Sequence, residues 1–314
     1  MGVVASLINE GYPPESKFTP DNIPDLTGKV IIVTGSNTGV GKATVKALLE
    51  KNAKVYMACR NQLKAAEAIL ELQKQTGREA TFLQLDLSDL HSVKAAAEEF
   101  LTKEDELHVL FNNAGVMLNH IDELTTQGYD IQFGTNVLGH YYFTTLLLPA
   151  LLAGAKSSPD GKARVVNTAS AAAMFISDID LNHLKDTPER RKKGTGVMYS
   201  QSKLGNVVFS NELARRYGAQ GIVSTSLNPG NLDSDLMRHI SSWQHSLVKL
   251  ILWDPSYGAL TQLWAGTSPE GAQLNGKYLI PWARIGSASA AGSDPKLGAQ
   301  MWDWMEKQVI AHSQ

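Results

Sequence analysis

Short apolar runs and amphipathic stretches alternate along most of this chain. Val30-Ile31-Ile32-Val33 is an unbroken apolar run, the pattern of a strand buried on both faces. It leads into the turn Thr34-Gly35-Ser36-Asn37-Thr38-Gly39-Val40-Gly41, after which Ala43, Val45, Ala47, Leu48 and Leu49 follow in a helical pattern. The same alternation predicts strands over residues 54–59, 80–85, 107–111, 164–167, 222–227 and 278–280. It predicts helices over 62–74, 92–101, 125–152, 255–266 and 296–310, with a further helix that carries Tyr199 and runs to Tyr217. Strands of this type alternating with helices specify an α/β fold, a doubly wound parallel sheet of about seven strands flanked by helices. No repeat or linker interrupts residues 28–314, which read as a single domain. Residues 1–27 carry Pro13, Pro14, Pro20 and Pro24 without periodicity and are expected to form an irregular arm lying on it.

Two stretches depart from the alternation. Residues 170–199 are polar, and Arg190-Arg191-Lys192-Lys193 reads as a solvated loop. Within 231–254, Leu236, Ile240, Trp243, Leu247 and Leu250 recur at spacings of three and four, the mark of an amphipathic helix. Its apolar face could pack on the sheet or close as a lid over an apolar substrate pocket. Contact of Trp243 and Trp253 with a membrane surface is a third reading.

Charge narrows the function classes. Lys and Arg number 29 against 31 Asp and Glu, so no basic field suggests nucleic acid. The one cysteine, Cys59, rules out an internal disulfide and suits a reducing compartment, taken as the cytoplasm. The longest apolar stretch, 141–155, falls short of the ~20 residues of a membrane span. Asn9 and Glu10 break the N-terminal apolar run early, against a secretory signal, while Met1-Gly2-Val3-Val4-Ala5-Ser6 fits the loose pattern for myristoylation of Gly2.

The glycine turn between strand and helix suits a dinucleotide, because glycines let the backbone approach a pyrophosphate at a helix N-terminus. Tyr199 and Lys203, four apart on a helix, share one face. A free phenol titrates near ~10, and an adjacent ammonium favours its anion, so the pair could move a proton to or from a substrate oxygen. No metal cluster is expected.

Thr34-Gly-x-x-x-Gly39-x-Gly41, Asn112-Asn-Ala-Gly115, Ser170, Tyr199-x-x-x-Lys203 and Pro229-Gly230 stand in the order and at the separations of the short-chain dehydrogenase/reductases, which the chain resembles over residues 28–285. Ala58-Cys59-Arg60-Asn61 and Asp235-Leu236 look like the branch of the retinol dehydrogenases and the WW-domain oxidoreductase. The resemblance implies a Rossmann-type fold and catalysis by Ser170, Tyr199, Lys203 and Asn136. Tyr199 would be the acid/base, Lys203 would lower its pKa and hold the ribose, Ser170 would bond the substrate oxygen, and Asn136 would hold a relay water. The implied cofactor contacts are Gly35, Ser36, Asn37, Thr38, Gly39, Val40, Gly41, Arg60, Asp86, Leu87, Asn113, Ala114, Gly115, Tyr199, Lys203, Pro229, Gly230, Leu232 and Ser234. Asn112 and Gly115 would floor the adenine ribose.

An NAD site usually offers an acid about 20 residues past the glycines. Arg60 stands there instead, which suits the 2′-phosphate of NADP(H) over NAD(H). The expected activity is a carbonyl reductase or alcohol dehydrogenase reaction on an apolar small molecule. The alternative is an NADPH-binding sensor without turnover. A sugar-nucleotide epimerase also uses Tyr-x-x-x-Lys, but usually with differently spaced glycines. Pairing of the helices around Leu146 and Val207 would give a homodimer or homotetramer, and the arm or the Leu236 helix would favour a monomer.

Overall fold

β1 (Val30–Thr34) sends Ile31 and Val33 to one side and Val30 and Ile32 to the other, so the strand lies between two apolar cores. The computed structural model describes residues 9–233 and 252–312. One eight-stranded sheet runs β3-β2-β1-β4-β5-β6-β7-β8. Its first seven strands pair in parallel: β1, β2 (Lys54–Cys59), β3 (Thr81–Gln84), β4 (Val109–Asn112), β5 (Ala163–Thr168), β6 (Ile222–Leu227) and β7 (Tyr278–Ile280). The eighth, β8 (Arg284–Ile285), is antiparallel to β7. Two residues carry no periodicity, which is why the pattern misses it.

Helices cover both faces. α1 (Gly39–Glu50), α2 (Gln62–Thr76) and α7 (Pro255–Thr267) lie over one core, joined by Phe18, Ile23 and Leu26 of the arm. α3 (Leu90–Leu101), α4 (Ile131–Leu146), α5 (Leu148–Ser157), α6 (Pro188–Tyr217) and α8 (Pro295–Ile310) lie over the other. The single helix expected over 125–152 begins at Ile131 and bends by 60° before α5. Pro149 explains the break, because it cannot continue the amide ladder of α4. No single helix among the described residues is long and apolar enough to cross a membrane.

The face around Val207 is occupied by the chain itself. Trp302 of α8 lies 5.0 Å edge-on from Tyr141 and 6.1 Å from Phe209, stacked on the latter, and Met301 and Met305 are fully buried beside it. Leu146 is only partly buried against the same core.

Arg190 corrects the reading of residues 190–193 as a solvated loop. Helix α6 begins at Pro188 and kinks at Gly194 (φ 77°), and Arg190 is fully buried. Its Nη1 donates to Asp130 Oδ2 at 2.8 Å, and Asp130 also caps α4 by accepting from Gln132 N and Phe133 N. Periodicity does not report such a partner, since Asp130 is 60 residues away. Burial raises the Asp130 carboxyl, and the guanidinium opposes that. Arg190→Ala strands a buried carboxylate and is expected to lower unfolding free energy by about 3–5 kcal/mol in denaturant titrations, with Asp130→Asn recovering part of it.

Candidate active site

The strand order reverses at β1, between β2 and β4, and the crevice of such a sheet opens at the carboxyl ends of these strands. Four of the expected motifs stand at strand ends, Gly35 after β1, Asn113 after β4, Ser170 shortly after β5 and Pro229 shortly after β6, while Tyr199 and Lys203 lie within α6.

The first turn fits a dinucleotide. Gly35 has φ +62°, and a Cβ on it would lie 2.8 Å from that of Ala114; one on Gly41 would lie 2.6 Å from Gly35 O. Only glycine permits this closeness. Thr38 is extended and makes no side-chain capping bond to the first turn of α1, which carries no acid, so the positive end of this helix suits an anion. Ser36 is fully buried and turns its hydroxyl inward to Val33 O at 2.9 Å. Asn113 Nδ2 donates to Thr34 O at 2.9 Å and fixes the second loop against the first.

Asn112 departs from its expected place under the adenine ribose. Its amide is buried and donates to Thr144 Oγ1 at 3.0 Å and Asn167 Oδ1 at 2.9 Å. Side chains alternate along a strand, so of two adjacent asparagines only one can face the crevice. Arg60 is exposed at the end of β2, next to Asn61, which caps α2. Asp86 is half-buried, its Oδ1 accepting from Ser88 N at 2.9 Å and Ser88 Oγ at 2.6 Å. Leu87 is buried, with its carbonyl against Gly139.

Ser170, Tyr199, Lys203 and Asn136 come together. Tyr199 is half-buried, Lys203 is 3% exposed, and the ammonium lies 5.8 Å from the Tyr199 ring centre. Lys203 Nζ donates to Thr168 O at 3.0 Å. Burial pulls Lys203 down to about 8. Burial also pushes the Tyr199 phenol up to about 12, against a hydrogen bond from Ser170 that works to lower it. The protein alone therefore does not lower Tyr199 as the resemblance implies, because the loss of water outweighs the neighbouring groups.

Asn136 is more tied down than a water-holding role suggests. It sits in a π-helical turn, Gly134–Gly139. Its Oδ1 accepts from Val116 N at 2.8 Å, and its Nδ2 donates to Val116 O and Ser202 Oγ, both at 3.0 Å. Its carbonyl meets His140 Nδ1 at 3.0 Å and accepts from Asn206 Nδ2 at 2.7 Å. A Cβ on Gly115 would lie 3.3 Å from Asn136 Oδ1 and 3.5 Å from Lys203 Nζ, so glycine keeps a gap beside both. Sequence reasoning missed His140; its place four residues after Asn136, one helical turn on, was the available signal.

At the far end, Gly230 has φ +93° and its missing Cβ makes room for Trp282. Leu232 is buried with Val40, Leu260 and Trp282 and bridges to Trp253, so the two ends of the expected lid meet. Ser234 and the helix expected around Leu236 lie outside the described residues, as does the Gly2 pattern.

A dinucleotide-binding α/β fold with a Ser-Tyr-Lys-Asn cluster at its switch point defines a class of oxidoreductase scaffold, and sequence relatives place the chain within it. The family model described as short chain dehydrogenase matches residues 29–178. A short-chain dehydrogenase/reductase of Armillaria gallica is 58% identical over 308 residues, covering 98% of this chain and 99% of the relative. Human retinol dehydrogenase 11 is 36% identical over 281 residues, 88% of this chain and 85% of the relative. A solved structure of an uncharacterised protein from Mycobacterium Paratuberculosis superposes with a TM-score of 0.74 at 28% identity, covering 94% and 98% of the two chains. This protein belongs to the short-chain dehydrogenase/reductase family.

The depressed Lys203 has a consequence for stability. Its folded value near 8 lies below the unfolded value of 10.5, so the charged form weakens the fold at all pH below 8, and stability returns as pH rises from 8 to 10.5. Lys203→Met is expected to melt higher than the unliganded wild type at pH 7, by up to roughly 3 kcal/mol, with the gap closing toward pH 10.5 in a pH series of thermal melts.

Proposed function

We propose that this oxidoreductase interconverts an alcohol and a carbonyl on an apolar small molecule, using NADP(H), with Tyr199 as acid/base. The observation that carries the reading is that Ser170 and Lys203 both lie against Tyr199, Ser170 hydrogen-bonded to the phenol and the Lys203 ammonium 5.8 Å from the ring centre. The bound nicotinamide supplies hydride transfer; the chain must supply position, a proton and a polarising donor. Ser170 offers its hydroxyl to the substrate oxygen as charge develops. Tyr199, held near 12, keeps its proton at neutral pH, the state that carbonyl reduction requires. Lys203 supplies the adjacent cation, and Asn136 holds the helix of Tyr199 through Ser202, whose hydroxyl donates to Tyr199 O at 2.7 Å.

Arg60 supports NADP(H), since a guanidinium matches a phosphate and no acid stands at the end of β2. The relative named for retinol, an apolar alcohol, supports an apolar substrate. Cys59, buried and unpaired, supports a reducing compartment such as the cytoplasm. The covering of Val207 and Phe209 by α8 supports a monomer over helix-paired dimers.

Tyr199→Phe is expected to bind cofactor as the wild type does and to lose turnover by at least about 100-fold in assays on a panel of apolar carbonyls. A sensor would lose nothing. Arg60→Ala is expected to weaken NADPH binding about tenfold or more in titrations and to leave NADH unchanged. A wild type that prefers NADH would overturn the role given to Arg60. In pH–rate profiles, alcohol oxidation is expected to rise from pH 7 toward 10, because it begins with proton loss to Tyr199, while carbonyl reduction stays flat below pH 8.

A further inference from the structure

The N-terminal arm reaches the working end of the sheet. Glu10 is 2% exposed, and its Oε2 accepts a hydrogen bond from Asn228 Nδ2 at 2.8 Å across 218 residues of chain. Asn228 Oδ1 in turn accepts the Gly230 N–H at 3.1 Å, and the Asn228 N–H bonds Leu279 O at 3.0 Å. Arg284 fastens the arm beside it, with Nη1 donating to Asn9 Oδ1 at 2.8 Å and Nη2 to Asn9 O at 2.9 Å. The Arg284 charge also acts on Glu10.

A carboxylate accepts hydrogen bonds and donates none. Glu10 therefore draws the Nδ2 side of the Asn228 amide toward itself and leaves Oδ1 facing the Gly230 N–H. An apolar residue could fill the same space but would not choose between the two faces of that amide. Burying a carboxylate is costly without such partners, so packing alone does not account for it.

We propose that Glu10 is a positioning residue, which fixes the Asn228-Pro229-Gly230 turn and through it the nicotinamide end of the cofactor site. This rests on the dinucleotide reading given above. The turn follows β6, whose neighbour β5 carries Thr168, the acceptor of Lys203. Leu232, one end of the Leu232–Trp253 bridge, follows it two residues on. Through Glu10 and Asn9 the arm thus belongs to the site.

The test uses full-length Glu10→Leu and Glu10→Gln. Each dinucleotide is titrated against the same molecule without its nicotinamide: NADPH with 2′-phospho-ADP-ribose, NADH with ADP-ribose. Glu10→Leu is expected to raise the Kd of the dinucleotide that the wild type prefers by about tenfold, and to leave its nicotinamide-free partner within about twofold. Glu10→Gln, which keeps an acceptor, stays close to the wild type. Equal weakening of both ligands, or of neither, would overturn the proposal, the first by showing general loosening of the fold. A wild type that binds no dinucleotide would instead sink the cofactor reading, and this proposal with it.

Discussion

One buried hydroxyl ties the loop at Asn113 and Ala114 to the cluster around Asn136 and Tyr199. Thr34 Oγ1, at the end of β1, accepts the N–H groups of Asn113 at 3.0 Å and Ala114 at 2.9 Å. Its own proton goes to the nearer of two acceptors, His140 Nε2 at 2.9 Å rather than Phe111 O at 3.3 Å. That requires Nε2 to be the bare nitrogen, so Nδ1 carries the hydrogen and donates to Asn136 O. Burial holds His140 down at about 4, which keeps this neutral tautomer in place through the physiological range. From Asn136 the chain continues through Ser202 to the backbone of Tyr199. The loop at Asn113 and Ala114 and the helix of Tyr199 are therefore parts of one hydrogen-bonded unit.

That unit explains how the site tolerates unfavourable electrostatics. Lys203 is deeply buried, its shift comes from burial, and a backbone carbonyl is its acceptor. Tyr199 is pushed the opposite way by the same loss of water. Such a pair persists only where its surroundings leave it no other arrangement. The fixed elements here are the sheet edge below, the π-turn at Asn136 beside it, and a helix core of fully buried side chains including Leu204, Val208 and Phe209. Rigid elements of this kind hold a reacting group in place better than a loop does.

The sequence was most legible where local pattern and burial agree. Val30-Ile31-Ile32-Val33 and the runs at 222–227 and 278–280 are strands as expected, and the glycine turn sits between β1 and α1, because each depends on near neighbours alone. The clustering of Tyr199 with Lys203 was legible for the same reason. What escaped depends on residues distant in the chain. Arg190 reads as solvated until Asp130 is placed beside it, and the two asparagines 112 and 113 look equivalent until the pleat turns one of them inward. The direction of the Tyr199 shift also escaped, because spacing reports the neighbouring cation but not the loss of water around the phenol.

These missed contacts share one physical role. Residues 116–125 and 171–187 are largely irregular, with two isolated bridges, Leu124 to Asp130 and Lys185 to Tyr129, in place of a sheet ladder. Buried polar clips hold them instead. Gln132 binds Leu118 N at 2.8 Å and Thr195 O at 2.9 Å, Thr195 Oγ1 donates to Asn119 O at 2.6 Å, and Arg190 closes the group onto Asp130. Asp180 N donates to Gln201 Oε1 at 2.9 Å, joining the far part of the segment to the helix of Tyr199 itself. Hydrogen bonds suit this task better than apolar packing. They fix direction as well as distance, and breaking one leaves a buried group without a partner, which makes the alternative arrangements costly. A loop fastened in this way can change an exposed residue, such as Phe175, without moving the helix of Tyr199. The polar clips therefore separate two demands on one segment: a fixed helix under Tyr199 and an exposed surface that can vary.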